Sequence, residues 1–264
     1  VKVWVYPHGF ERWYYPKLRV VMETLGWKVG SSDDHDLRIF FCLHTLHKNN
    51  KILKMDGKPV RDAPTTSILP KTINGSCTDT RKSHVDSAFK KVFGYGTKAE
   101  HGEDCLVKPE AQAMKTFVES KSTGRPHYFE QRKIDTKRSG MFVDLRPVVF
   151  DGKIEIAFVK RKPNMIKESG SIVTMVEAST VFFANEIGKL EAFCASLGLD
   201  YGEIDVLREK GTGRIYVVDA NPTPSRDAFL AIGNQLGKTT ERLVQMRYAS
   251  LFEKAFNTEK WLIR

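Results

Sequence analysis

The stretch YGEIDVLREKGTGRIYVVDANPTPS, residues 201–225, holds Asp205 and Asp219 at the ends of two apolar runs, with Asn221 two positions beyond the second acid. Side chains alternate along a strand, so Asp219 and Asn221 share one face, and Glu203 shares one with Asp205 that excludes Ile204 and Val206. If the two runs pair through the turn at Gly211 to Gly213, Asp205 lies near Asp219 and three oxygen-bearing side chains surround a small site. Two carboxylates and an amide suit a hard divalent cation such as Mg²⁺, which binds through one or two carboxylates, keeps several waters and bridges to substrate phosphates. Single acids at strand ends are usually solvated turn residues. A D...D-x-N set followed by Pro222 and Pro224 is more specific.

Cations stand on other strand-like runs. Lys108 closes the apolar run DCLVK before Pro109, Arg146 lies in VDLRP, and Lys160 and Arg161 lie in AFVKRKP. Arginine offers a planar fork to phosphate or carboxylate, whereas lysine acts as a point charge. Several cations around a Mg²⁺ site would fit a triphosphate, although each alone is also an ordinary exposed strand residue. His44 and His47 have no third ligand spaced with them, and Ser225, Cys105 and Cys194 have no base partner recognisable in the sequence. Neither G-x-x-x-x-G-K-[ST] nor a strand-linked G-x-G-x-x-G occurs, which disfavours P-loop and Rossmann nucleotide sites.

These residues need elements to position them. VKVWVYP begins a short strand, and RWYYPKLRVVMETLG carries Leu18, Val21, Met22 and Leu25 at helical spacing before Gly26. WKVG and LRIFFCL follow as strands, completing a small βαββ layer. Residues 48–75 hold Pro59, Pro64 and Pro70 and predict a connector, which puts a boundary between residues 1–75 and 76–264. A helix is expected over Ser76 to Phe93, and strands at Asp104 to Lys108 and in HYFEQRKI. FVDLRPVVF and KIEIAFVKRK form a hairpin around Asp151-Gly152. A helix is predicted over Glu177 to Leu197, then the acid-bearing hairpin. Finally an amphipathic helix, ERLVQMRYASLFEKAF, has Leu243, Met246, Leu251 and Phe252 as its packing residues.

The 264 residues are 41% hydrophobic and 28% charged, an ordinary globular composition with room for one or two domains. No run approaches the roughly 20 apolar residues of a membrane span. The N-terminal VKVWVYPHGFERWYYP lacks the sections of a secretory signal, and Cys42, Cys77, Cys105 and Cys194 form no metal or redox spacing; a cytoplasmic protein with reduced thiols is expected. The net charge of +10 favours anionic partners, whether nucleotides, phosphorylated metabolites or nucleic acid. No nucleic-acid motif supports the last.

Taken in order, TRKS (Lys82), LVKP (Lys108), FEQRKID, VDLRPVVF, VKRKPN, a long helix, GEIDVLRE and VVDANPTP resemble the ATP-grasp superfamily over about residues 72–225. The resemblance implies an α+β fold in which two lobes clasp ATP and Mg²⁺, preceded here by an α/β pre-grasp layer. It places Lys82 and Lys108 at the nucleotide phosphates and adenine edge. Glu130, Gln131, Arg132 and Ile134 match the linker that reads adenine, with Asp135 or a nearby polar residue at the ribose. Arg146 and Lys160 or Arg161 match cations near the transferred phosphoryl group, and Asp205, Asp219 and Asn221 match the Mg²⁺ ligands. Where the family carries a glycine-containing loop after the second lysine, this chain reads PEAQAMKTFVES, without glycine.

The expected activity is a carboxylate–amine ligase that activates its substrate as an acyl phosphate, with a small, anionic acceptor. A small-molecule kinase on the same scaffold would instead phosphorylate a hydroxyl. A non-catalytic polyanion-binding protein is the reading from another class; the glycine-free loop argues for it and the acid trio against it.

Overall fold

The computed structural model describes residues 1–6, 16–31, 34–40, 134–163, 170–197, 199–221, 224–259 and 261–262. They form an α+β fold built on two sheets. In the first, strand β1 (Lys2–Tyr6) lies parallel between β2 (Lys28–Val29) and β3 (Leu37–Phe40). Helix α1 (Pro16–Leu25) crosses this layer because Leu18, Val21 and Met22 recur at helical spacing and are buried. It ends at Gly26, whose positive φ of 67° suits glycine.

The second sheet is antiparallel and six-stranded, in the order β7-β6-β5-β8-β9, with β4 paired to β5. Its strands are β4 (Lys137–Arg138), β5 (Met141–Phe150), β6 (Ile156–Lys162), β7 (Ile172–Glu177), β8 (Tyr201–Arg208) and β9 (Ile215–Asn221). The predicted Asp151-Gly152 hairpin is present: both residues have positive φ, and Phe150 and Lys153 exchange backbone hydrogen bonds of 2.9 Å. Helices α2 (Ala184–Leu197), α3 (Asp227–Leu236) and α4 (Lys238–Phe256) complete the described elements.

Alternate residues of the large sheet feed two cores, one per face. Leu145, Val149, Ala157, Val159, Ile204 and Val206 join Leu190, Phe193 and Cys194 of α2 on one side. Val148, Phe150, Ile156, Phe158 and Tyr201 join α1, α3, α4 and the N-terminal layer on the other. With both faces covered, β5 and β6 carry the near-continuous apolar runs seen in the sequence.

Two expectations need correction. The helix expected from Glu177 starts at Ala184, because Glu177 ends β7, where it pairs with Ile156, and a 3₁₀ turn over Ala178–Thr180 intervenes. The helix start is set by the Glu186 carboxylate, which accepts the Phe183 N–H at 2.9 Å. In α4, Leu251 and Phe252 are buried as expected, but Leu243 and Met246 face solvent; Tyr248, Ala249 and Phe256 supply the rest of the packing face. Helix α3, with Phe229 and Ile232 buried, was not among the expected elements.

Candidate functional site

The sheet face that packs on α3 and α4 changes character along its strands. At one end it presents Val148, Phe150, Ile156 and Tyr201 to the core; further along, the same alternation presents Asp144 and Arg146 on β5, Lys160 and Lys162 on β6, and Glu203 and Asp205 on β8. Registers place Arg146 opposite Phe158, and Asp205 opposite Asp219. Arg146 Nε lies 3.4 Å from Asp205 Oδ1, each side chain a little over a quarter exposed. A row of Phe158, Arg146, Asp205 and Asp219 therefore crosses four strands, with Asn221 opposite Glu203 beside it.

This arrangement depends on a slip in the β8–β9 ladder. Val206 pairs with Val217 but Asp205 pairs with Asp219, leaving Val218 as an extra residue. Ile204, Val206, Val217 and Ala220 are buried on the α2 side. The register sets Asp205 opposite Asp219 and Glu203 opposite Asn221. Asp, Asp and Asn are hard oxygen donors, a donor chemistry that suits a Mg²⁺ ion. Among the described residues no group of three or more His, Cys, Asp or Glu side chains could hold a metal ion.

Glu203, the acid next to this set, has a different environment. Its carboxylate is bonded to the ammonium of Lys17, which reaches it from α1, and both side chains are almost fully buried. The Lys17 ammonium also lies 4.6 Å from the ring centre of Phe158, 5.0 Å from Phe229 and 5.3 Å from Tyr248. Burial pushes the Lys17 pKa down; the Glu203 charge and hydrogen bond oppose this, and the Arg146 charge adds to it.

A cavity of about 380 Å³ opens beside these groups. Arg146, Lys160 and Glu203 line its sheet side, and Ser225, Asp227 and Asn234 its α3 side. Ser225 Oγ donates to the Asp227 carboxylate at 2.7 Å, and Gln235 ties α3 to β7 by accepting from Val173 N–H at 3.1 Å and donating to the Ser171 carbonyl at 3.0 Å.

Of the three cations expected near a transferred phosphoryl group, the structure brings Arg146 and Lys160 to the cavity. Arg161 is exposed, at the alternate position on β6, and falls on the opposite face. Ile134 is buried against the α2-side core, so its side chain packs rather than presents itself to a ligand. Asp135 is exposed; its carboxylate accepts the Lys137 N–H at 2.9 Å and its carbonyl accepts the Lys210 N–H at 2.7 Å. Lys82, Lys108, Glu130, Gln131 and Arg132 lie outside the described residues. Lys17 was not expected here, although its sequence carries a signal: it sits one helical turn before Val21, on the stripe that is otherwise apolar. Cys194 is fully buried, and burial pushes its thiol pKa far up, which fits an inert core residue.

No family model matches the chain, and no curated protein matches it. Among solved structures, the chain is similar to macrocyclase MdnB from Microcystis aeruginosa MRC, at 14% identity over 96% of this chain and 99% of that one, with a TM-score of 0.48. It is also similar to the ATP-grasp ligase PsnB complexed with a minimal precursor, at 10% identity over 95% and 98% of the two chains and a TM-score of 0.46. A third is D-alanine–D-alanine ligase from Bacillus anthracis complexed with ATP, at 10% identity over 95% and 96% and a TM-score of 0.48.

Proposed function

We propose that the chain is an ATP- and Mg²⁺-dependent ligase that activates a carboxylate as an acyl phosphate for attack by an amine. The observation that carries this reading is the β8–β9 register, which sets Asp219 opposite Asp205, beside the Arg146 that lines the cavity. The residue order that resembles the ATP-grasp superfamily, which includes this same hairpin, supports it. Asp205, Asp219 and Asn221 would hold Mg²⁺, which when bound neutralises phosphate charge and lowers the barrier to phosphoryl transfer. The division into residues 1–75 and 76–264, and Lys82, Lys108 and the segment from Glu130 to Asp135 as nucleotide contacts, belong to the same proposal.

The protein's own side chains supply the remaining work. Arg146 spans the two halves of the site: it reaches Asp205 and also lines the cavity, so its guanidinium can follow charge that develops between nucleotide and acceptor. Lys160 adds a second cation on the cavity wall. A small-molecule kinase on the same scaffold is the second reading, since Glu203 and Asp227 line the cavity beside the two cations.

A thermal-shift titration with ATP and Mg²⁺ tests the nucleotide site. Ligand linkage predicts about 2.7 kcal/mol of stabilisation at a hundredfold excess over Kd for the native chain. Asp219→Ala is expected to lose most of that shift; an equal shift in the variant, or none in the native chain, removes the site. Product analysis then separates the reactions, since a ligase releases ADP and phosphate only with a carboxylate and an amine together, whereas a kinase leaves a phosphorylated acceptor.

A further inference from the structure

Strand β8 presents two carboxylates to the same face, Glu203 and Asp205, about 6.6 Å apart along an extended strand. Asn221 and Asp219 stand opposite them in register. Four oxygen-bearing positions, three of them acidic, are more than a Mg²⁺ site uses, because Mg²⁺ takes one or two carboxylates and keeps its waters. A set with three carboxylates better fits the larger, more highly coordinated Ca²⁺. One of the three acids is already engaged: Glu203 is bonded to Lys17, while Asp205 remains partly open beside Arg146.

Fold stability alone does not account for this pair. Two buried charges cost several kcal/mol each to desolvate, and an apolar pair of similar volume is often equally or more stable. The surroundings of Lys17 would suit such a replacement, since Phe158, Phe229 and Tyr248 enclose its ammonium. The geometry instead matches a restraint on the acid. Lys17 comes from a different layer, is held by three rings, and meets Glu203 at the strand position next to the cation set.

Resting on the cation site of the preceding section, we propose that Lys17 is a positioning residue that withholds the Glu203 carboxylate from Asp205, Asp219 and Asn221, and so sets which divalent cation that group prefers. The N-terminal layer then contributes to the site without touching nucleotide or acceptor.

Mn²⁺ binding followed by electron paramagnetic resonance, in the presence of ADP and with Mg²⁺ or Ca²⁺ as competitor, provides a readout independent of turnover. Lys17→Met is expected to raise the preference for Ca²⁺ over Mg²⁺ by tenfold or more, because the freed carboxylate joins the set. The double variant Lys17→Met/Glu203→Gln is expected to return that ratio to the native value, because no freed carboxylate is left to join the set. Glu203→Gln alone should bind Mn²⁺ within about twofold of the native protein and keep its selectivity. An unchanged ratio in Lys17→Met, or a tenfold loss of Mn²⁺ in Glu203→Gln, overturns the proposal. If Lys17→Met does not fold, Glu203→Gln and the double variant decide it. Native protein that binds no Mn²⁺, or binds it equally after Asp219→Ala, takes down the cation site itself and this role with it.

Discussion

Arg146 shows what a single residue contributes. It occupies a strand position whose neighbours along the same face, Val148 and Phe150, are fully buried, yet it keeps a partly exposed guanidinium between Asp205 and the cavity. Replacing one preorganised donor aimed at developing charge typically costs about 10²- to 10³-fold in turnover. Arg146→Ala is expected to show a kcat loss of that order in an ADP-release assay, whereas Arg161→Ala, on the other face, should stay within about twofold of native. Equal losses in both would mean that general charge, rather than position, matters. The residues most legible in the sequence were of this kind: a charge on an otherwise apolar alternation betrays its face. Lys17 was less legible because its partner lies 186 residues away in another layer, and nothing local announces which carboxylate it meets.

At the scale of the element, one side chain ties β8 to α2. Arg208, near the end of β8, binds the Glu186 carboxylate of α2 with two nitrogens, each at 2.7 Å, and also donates to the carbonyls of Val181 and Gly213 at 2.8 and 2.9 Å. Burial alone would raise the Glu186 pKa, but the hydrogen bonds from Arg208 and the Phe183 N–H, with the charges of Arg208 and Lys189, outweigh it and hold the carboxyl below its ordinary value of 4.5. In the acid window the unfolded state therefore binds more protons at this residue. Its contribution is complete above pH 4.5 and is lost as pH falls through the lower folded value. Urea midpoints measured from pH 6 down to pH 3 should fall less steeply for Glu186→Gln than for the native chain; parallel curves would exclude the linkage. Hairpins such as Asp151-Gly152 were readable because turn chemistry is local. The start of α2 is not legible, because the apolar run of β7 continues into helical spacing without a break that propensity can detect.

At the scale of the molecule, Phe252 joins parts that are distant in sequence. Its ring lies 5.9 Å from Trp27 of the N-terminal segment, 6.4 Å from Phe150 of β5, 5.3 Å from Tyr201 of β8 and 4.7 Å from Phe256. Truncating such a residue removes both its transfer energy and the contacts of its neighbours. Phe252→Ala is expected to destabilise by about 3–5 kcal/mol in chemical denaturation, and exposed Leu243→Ser by under about 0.5 kcal/mol. The reverse order would show that α4 packs through its other side. The sequence could place α4 as an amphipathic helix but not which stripe faces inward, since Leu243 and Met246 are as apolar as Leu251. Pairing of β5 with β8 was equally hidden, because long-range register leaves no local mark.

The extra residue in β9 has a consequence for parity. In an unbroken pleat Asp219 and Asn221, both odd-numbered like Val217, would share its side of the sheet, the side filled by Leu190, Phe193 and Cys194. Val218 resets the count. One seven-residue strand can thereby set Val217 opposite Val206 and, two residues on, Asp219 opposite Asp205. Its length in residues decides which positions meet Asp205 and Glu203 as much as the acids it carries do.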